Sequence, residues 1–541
     1  MHTGKDTGCP WWKGAVIYQI YPRSFQDSNA DGVGDLRGIT ERLPYVADLG
    51  VDGIWLSPVF TSPMADFGYD ISDYRDIDPV FGTLADFDAL LARAHELGLK
   101  LIIDQVYGHT SDRHAWFEQS RASRHNARAD WYVWADPKPD GTPPNNWPSV
   151  FGGPAWTWDT RRRQYYLHNF LAEQPDLNLH NPDVQDALLD VSRFWLERGV
   201  DGFRLDVANY YFHDPQLRDN PPSGVRDGAR PYAFQRHVFN RDRPETPEFL
   251  ERIRAVLDGF GARMSVAELE SDDNLGMSVA YTRGSHRLHT AYNFHFLRTE
   301  DATPARVREA LEAWQGVDAW PSWSLSNHDV VRAATRWDGG AGGSPERAKF
   351  LLALLLALRG TVFVYQGEEL GLPQAHVPFE RLRDPEAIRF WPDNMGRDGC
   401  RTPFPWEADA PHAGFSTVEP WLPASDTQAA LAVDAQEGQA DSVLAYARAA
   451  LRRRSALPAL VRGDVRFRDT GEAMVLAFER EDNGGGRVLC AFNFDARAAV
   501  EVDMPDAGEW RADPALSLGA SLGDGTLRLA PSGCLFGLRA L

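Results

Sequence analysis

Cysteine is scarce in this chain of 541 residues. The four present, Cys9, Cys400, Cys490 and Cys534, are far apart and form no C-x-x-C pair. That pattern excludes a disulfide framework and a thiolate metal site, and it reads as buried or incidental thiols. The first residues, "MHTGKDTGCPWWKG", have no basic stretch followed by an apolar one. Nowhere do 18 uninterrupted apolar residues occur, and the run Phe350 to Gly360 has the length of a buried helix. A soluble, cytoplasmic protein is therefore expected. Positive charge is also lacking. The formal net charge is -21 and the pI is near 5.2, which argues against nucleic acid or an anionic membrane as partner. A neutral substrate is compatible with it. The 18 Trp, 16 Tyr and 28 Phe residues mostly fill core, but flat rings also stack on sugars, so they favour a carbohydrate ligand.

The length exceeds one ordinary domain. A weak repeat runs through "ADLGVDGIWL", "HELGLKLIID" and "LERGVDGFRLD". In each, a helix ends at glycine (Gly50, Gly98, Gly199) and a strand follows at once. The preceding helices show helical spacing, as in Phe87, Leu90, Leu91 and Ala94. This βα alternation predicts a parallel sheet. Eight strands are predicted: Val16–Tyr21, Gly53–Leu56, Leu101–Val106, Gly202–Asp206, Ser265–Glu268, Ala291–Phe294, Trp323–Ser326 and Thr361–Tyr365. The fold class is α/β, a (β/α)8 barrel made of 1–107, 178–370 and 441–462. The Pro- and Trp-rich stretch 108–177 reads as an inserted domain. A second irregular region covers 371–440. From 463 to 541 the texture changes to short alternating strands, an antiparallel β domain.

Polar chemistry concentrates at strand ends: Asp104 to His109, Arg204 to Asp206, Glu268, and Asn327 to Asp329. In a parallel barrel such ends converge on one face. Four carboxylates, two imidazoles and one guanidinium there suit cleavage of a glycosidic bond. Asp206 is the candidate nucleophile. Arg204, two residues earlier and on the same side of the strand, is expected to hold it ionised. Glu268, among small apolar neighbours, is the candidate acid, because a drier setting raises a carboxyl pKa. Glu270 stays open as the alternative should the register slip by two. His109, His328 and Asp329 are candidates for gripping sugar hydroxyls. After the first strand, Asp27, Asn29, Asp31 and Asp35, with the Val33 carbonyl, place oxygens at alternate positions around Gly32. An oxygen-only set selects a hard, structural Ca2+ or Mg2+. It is not an EF-hand, since the twelfth position is Gly38.

The stretches "VIYQIYPRSFQDSNADGVGDLRGI", "GIWLSPVFTSPMADFGYDISDY", "GFRLD", "SNHD" and "GRDGCRTPFPW", in that order, resemble the α-amylase superfamily, glycoside hydrolase family 13, in its bacterial α-glucosidase and glucosyl-transferring branch. The likeness covers essentially the whole chain. It implies a catalytic barrel, an inserted B domain, a B′ region and a C-terminal β domain. It further implies Asp206 as nucleophile, Glu268 as acid/base and Asp329 as the carboxylate that stabilises the transition state. Asp66, Tyr69, His109, Arg204, His328 and Arg397 would bind the terminal glucose, and Phe151 and Phe170 would wall the pocket. The acidic loop matches the family's metal site. No organic cofactor is implied. The chain departs from the family's pattern at Gly108, where Asn is frequent, at Ala267, where Gly is usual, and at Gln374, where an acidic residue is expected. Val207 and Gln374 are thereby assigned to the acceptor side. The implied activity is retaining, exo-acting removal of terminal α-glucose, with transfer to hydroxyl acceptors. An oligo-1,6-glucosidase, a sugar isomerase on the same fold and a non-catalytic accessory subunit are the alternatives. The sequence leaves monomer and homodimer open.

Overall fold

The computed structural model describes residues 9–226, 230–339 and 343–539. All eight expected strands are present, with ends moved by one or two residues. They are β1 (Val16–Ile20), β2 (Gly53–Leu56), β3 (Lys100–Gln105), β4 (Gly202–Leu205), β5 (Met264–Leu269), β6 (Thr290–Asn293), β7 (Ser322–Ser324) and β8 (Thr361–Tyr365). Every ladder among them is parallel, in the order β6-β5-β4-β3-β2-β1-β8-β7. The end strands β6 and β7 lie next to one another without a ladder, so the barrel is nearly closed.

Local chemistry sets the helices between these strands. Asp35 caps Leu36–Leu49 by accepting from Gly38 N, and Gly50 (φ 91°) closes it in the left-handed conformation. Thr83 and Asp86 make a reciprocal capping box before Leu84–Glu96. Asn181 caps Pro182–Arg198, and Gly199 (φ 111°) ends it. Each closure feeds the next strand directly. Gly202 opens β4 because a Cβ there would stand 2.1 Å from Met264 O on β5.

Period-two alternation divides each strand between two surfaces. Ile17, Trp55, Ile102, Met264, Val266, Tyr292 and Phe363 fill one cluster at the barrel axis. Phe203, Leu205 and Ala267 point the other way, into the large core shared with the helices. Arg204, Asp206 and Glu268 follow the axial phase.

Between β3 and β4 stands a three-stranded antiparallel sheet, Trp134–Ala135, Gln164–Leu167 and Trp156–Asp159, around the buried Trp147 and Trp156. After β8 the chain forms short helical turns, Pro385–Phe390 among them. A seven-stranded antiparallel sheet follows, in which four strands pair with the long strand Thr526–Arg539. No helix among the described residues is long and apolar enough to cross a membrane.

Candidate active site

The C-terminal ends of the barrel strands open into a pocket of about 600 Å3. Beneath it lies Arg204, fully buried over the Trp55 ring at 4.9 Å. Its Nη1 donates to Asp104 Oδ1 and to Asp206 Oδ1, both at 2.6 Å. Its Nη2 contacts Glu268 Oε2. Nε and Nη2 reach the Tyr292 hydroxyl at 3.2 and 3.0 Å, and that hydroxyl donates to Glu268 Oε1 at 3.1 Å. One planar fork thus touches both candidate catalytic carboxylates, and Arg204 acts from under the floor rather than on a ligand. Val207 holds a left-handed backbone (φ 34°, ψ 50°), a strained state for a β-branched residue. That turn aims its N–H at Glu268 Oε2, 3.2 Å away.

His328 is also fully buried and does not line the pocket. Gln19 Nε2 donates to its Nδ1 at 2.8 Å. The network therefore assigns the imidazole hydrogen to Nε2, which meets the Tyr69 oxygen at 2.6 Å. Tyr69 in turn donates to Asp104 Oδ2 at 3.1 Å and stacks on the imidazole.

At the far wall Arg397 Nη2 donates to Asp66 Oδ1 and to Asp384 Oδ1, both at 2.8 Å. Gln174 Nε2 donates to the other oxygen of Asp66 at 3.2 Å and lies 3.2 Å from His109 Nε2. Phe151 and Phe170 stand with ring centroids 6.0 Å apart. Asp66, Tyr69, His109, Phe151, Phe170, Asp206, Val207, Glu268, Asp329 and Arg397 all line this one pocket.

The matching family models cover nearly the whole chain: "Alpha amylase, catalytic domain" over residues 19–463 and "Alpha amylase, C-terminal all-beta domain" over residues 467–512. The chain belongs to the α-amylase family. A probable alpha-glucosidase of Rhizobium meliloti (strain 1021) is 56% identical over 91% of this chain and 90% of its own length. An oligo-1,6-glucosidase of Heyndrickxia coagulans is 37% identical over 92% and 94%. Among solved structures, the alpha-glucosyl transfer enzyme XgtA superposes with a TM-score of 0.94 at 54% identity, covering 98% of this chain and 100% of that one.

Electrostatics in this α-amylase-family site are governed by burial. Desolvation pushes Asp206 up to about 7, although Arg204 pulls the other way. Arg204 favours the ionised form of Asp206, as expected of a guanidinium on the same face, but burial outweighs one shared cation. Glu268 is pushed further, to about 8, by burial, with the charges of Asp206 and Asp329 adding to it. Burial also raises Asp104 to about 6 and lowers His109 to about 4. Asp329 goes the opposite way. Burial would raise it, yet His328 and the guanidiniums of Arg401 and Arg397 hold it below the usual carboxylate range. His328 itself is driven well below its ordinary value by burial. A neutral imidazole supplies no charge, so the two arginines, at 2.8 and 3.4 Å from Asp329 Oδ1, carry the effect.

Some assignments fall elsewhere. Gln374 does not line the pocket of this family member. Its side-chain oxygen accepts from Arg332 N at 3.0 Å, so a lost charge there does not bear on an acceptor. Glu270 lines the rim, paired with Arg298 at 2.9 Å, while Glu268 contacts Arg204. The alternative register is therefore not the one seen. Sequence reasoning passed over Gln174, Arg230, Glu270 as a rim residue, Phe294, Arg298 and Glu386, which also line the pocket. Arg230 lies outside any helix or strand and Glu386 in a helix of only six residues, so neither carries a periodic signal.

In the acidic loop, Asp27 Oδ1 accepts from Asn29 N and Ala30 N, and Oδ2 from Gly32 N. Oδ2 also accepts from Ser416 Oγ at 2.6 Å. Asp35 accepts from Ser28 N, Ser28 Oγ and Gly38 N. Among the described residues no group of three His, Cys, Asp or Glu side chains is placed to hold a metal ion. Asn29 and Asp31 each accept one loop N–H.

Proposed function

We propose that this chain is a retaining, exo-acting α-glucosidase that also transfers glucose to hydroxyl acceptors. The observation that carries the reading is the pair Asp206 and Glu268, lining one pocket and gripped by one guanidinium. In the first step the Asp206 carboxylate attacks the anomeric carbon while the Glu268 O–H protonates the departing oxygen. The glycosidic C–O bond breaks as the ester to Asp206 forms. Glu268, now ionised, then takes the proton of water or of an acceptor hydroxyl, whose oxygen displaces Asp206. Asp329, kept ionised by two arginines, faces the positive charge that develops on the ring. Asp66, His109 and Arg397 present hydroxyl partners for a terminal sugar against the Phe151 and Phe170 rings. The α-glucosidase and glucosyl-transfer names of the relatives support the same reading.

The preferred bond is proposed to be α-1,4, in maltose and short maltooligosaccharides. The oligo-1,6-glucosidase relative and the valine after the nucleophile support α-1,6 as the second reading. One side chain beside the leaving sugar changes discrimination by only about 1–3 kcal/mol. Side-by-side kcat/KM on maltose and isomaltose decides, and faster isomaltose cleavage overturns the α-1,4 assignment. Proton NMR of the first-formed sugar should show retained α-glucose, and a phenolic acceptor should yield a glucoside. A β-anomer as first product defeats the retaining mechanism.

A hard cation in the Asp27–Asp35 loop remains a proposal that rests on the oxygen-only donors. Asp27 already has about four accepted bonds, the full capacity of a carboxylate. Binding would have to recruit the exposed Asp31 and Asn29. EDTA should then lower the melting temperature and added Ca2+ restore it. A flat response removes the cation.

A further inference from the structure

Two ion pairs contribute to the polar lining of the pocket. One is Arg298 with Glu270 at 2.9 Å. The other joins Arg230 to Glu386 and connects segments far apart in sequence. Arg230 precedes the turn Pro231–Phe234, and Glu386 lies in the helix Pro385–Phe390. Both residues line the pocket, and neither segment belongs to the barrel. Their contact therefore joins two segments outside the barrel strands within the lining of the same pocket as Asp206 and Glu268.

Both ends of the bridge are firmly mounted. Tyr232, two residues after Arg230, bonds its hydroxyl to that of Tyr210 at 2.8 Å and stacks on His237 at 3.6 Å. Asp384 caps the helix through Glu386 N, and the same carboxylate holds Arg397. Arg230 is about a quarter exposed at its side chain while Glu386 is buried, so the pair meets solvent from the Arg230 side only. Glu386 also accepts from Asn394 Nδ2 at 2.8 Å, so it keeps a partner when Arg230 leaves. Arg230 Nε is buried without a hydrogen-bond partner, a spare donor beside the space a leaving sugar would occupy.

We propose that Arg230 and Glu386 form a latch across the mouth that sets how long a maltooligosaccharide, or how large an acceptor, the pocket takes. This rests on the α-glucosidase reading and deepens it. When closed, the pair leaves room for a terminal glucose and a short leaving group. A longer chain must part the two side chains, and so loses their mutual attraction on entering. Arg230 and Glu386 are thus specificity-determining, and they act on the reaction only through the space beyond the scissile bond.

The test compares kcat/KM for maltotetraose and for maltose in wild type, Arg230→Ala, Glu386→Gln and the exchange Arg230→Glu with Glu386→Arg. The ratio of maltotetraose to maltose should rise about tenfold in each single variant and fall back toward wild type in the exchange. A merely structural role would lower both substrates together and leave the ratio unmoved. A ratio within about twofold of wild type in both single variants overturns the latch. A wild type that cleaves maltose with an unmoved ratio in the variants fails the latch alone. One that cleaves no α-glucoside fails the underlying reading and the latch with it. Should a variant not fold, a KCl titration of wild type still decides. Arg230 reaches solvent and salt screens the pair from that side, so the ratio should climb with salt, and a flat response overturns the proposal.

Discussion

Asp206 stands at the end of β4 with burial raising its pKa and one guanidinium opposing the rise. Asp206→Asn removes the nucleophile while keeping its shape. Turnover of maltose should fall on the order of 10^5-fold, as for loss of a nucleophile elsewhere. The melting temperature should stay equal or rise, because a buried charge goes with it. A variant that loses stability and activity together would instead mark Asp206 as structural. The pH profile of kcat/KM should be a bell. Its acid limb comes from protonation of Asp206, shifted to about 7, and its alkaline limb from ionisation of Glu268, shifted to about 8. The two titrate as a pair, so the limbs are macroscopic values. Glu268→Gln should abolish the alkaline limb in whatever activity remains on an aryl glucoside, whose leaving group needs no acid. A persisting limb would move the acid role to another group.

Among the elements, the inserted sheet is tied to the site by a buried acid. Asp176 pairs its backbone with His109 across an isolated bridge and accepts from Asn169 N and Nδ2. Desolvation pushes it up to about 7. Its folded pKa lies above the unfolded value near 3.9, so the associated stability is fully present below that value. It is lost as pH rises through about 7. Asp176→Asn should flatten this loss and be more stable than wild type at pH 9 by a few kcal/mol, on the order of what such a shift carries. Melting curves at pH 5 and pH 9 check it, and an unchanged gap between the two pH values would refute it. At the β4–β5 ladder, Gly202→Ala would drive a methyl against Met264 O. It should cost about 3 kcal/mol or prevent folding, as overpacking against backbone does.

Over the whole molecule, barrel and C-terminal sheet are joined by buried arginines. Arg480 is fully buried and donates to Ala357 O and twice to Gly463 O. Arg347, buried on the barrel helix Pro345–Ala357, donates to the Phe494 carbonyl. Burial lowers Arg480 to about 9, the mark of a charge held by oxygens without a carboxylate contact. Arg480→Met leaves those carbonyls unpaired and should destabilise the protein by about 3 kcal/mol. Denaturant unfolding followed at 222 nm measures it, and a change below about 0.5 kcal/mol would show that the arginine bonds are dispensable.

Much of this was determined by the sequence alone. Gly50 and Gly199 end helices because only glycine takes their left-handed backbone at no strain. The axial phase of Arg204, Asp206 and Glu268 follows from strand periodicity, and motif order announced the family. Other features arose only in three dimensions. The direction in which Asp206 shifts depends on how much water the pocket excludes, a sum over the whole barrel that two residues of spacing cannot report. Likewise Gln374 turned to Arg332 N rather than the pocket, because loop conformation, not sequence position, aims a side chain. The Arg230–Glu386 bridge joins residues 156 positions apart, one outside any helix or strand and one in a short helix. No periodicity links them, and only the packing of segments outside the barrel strands brings them together.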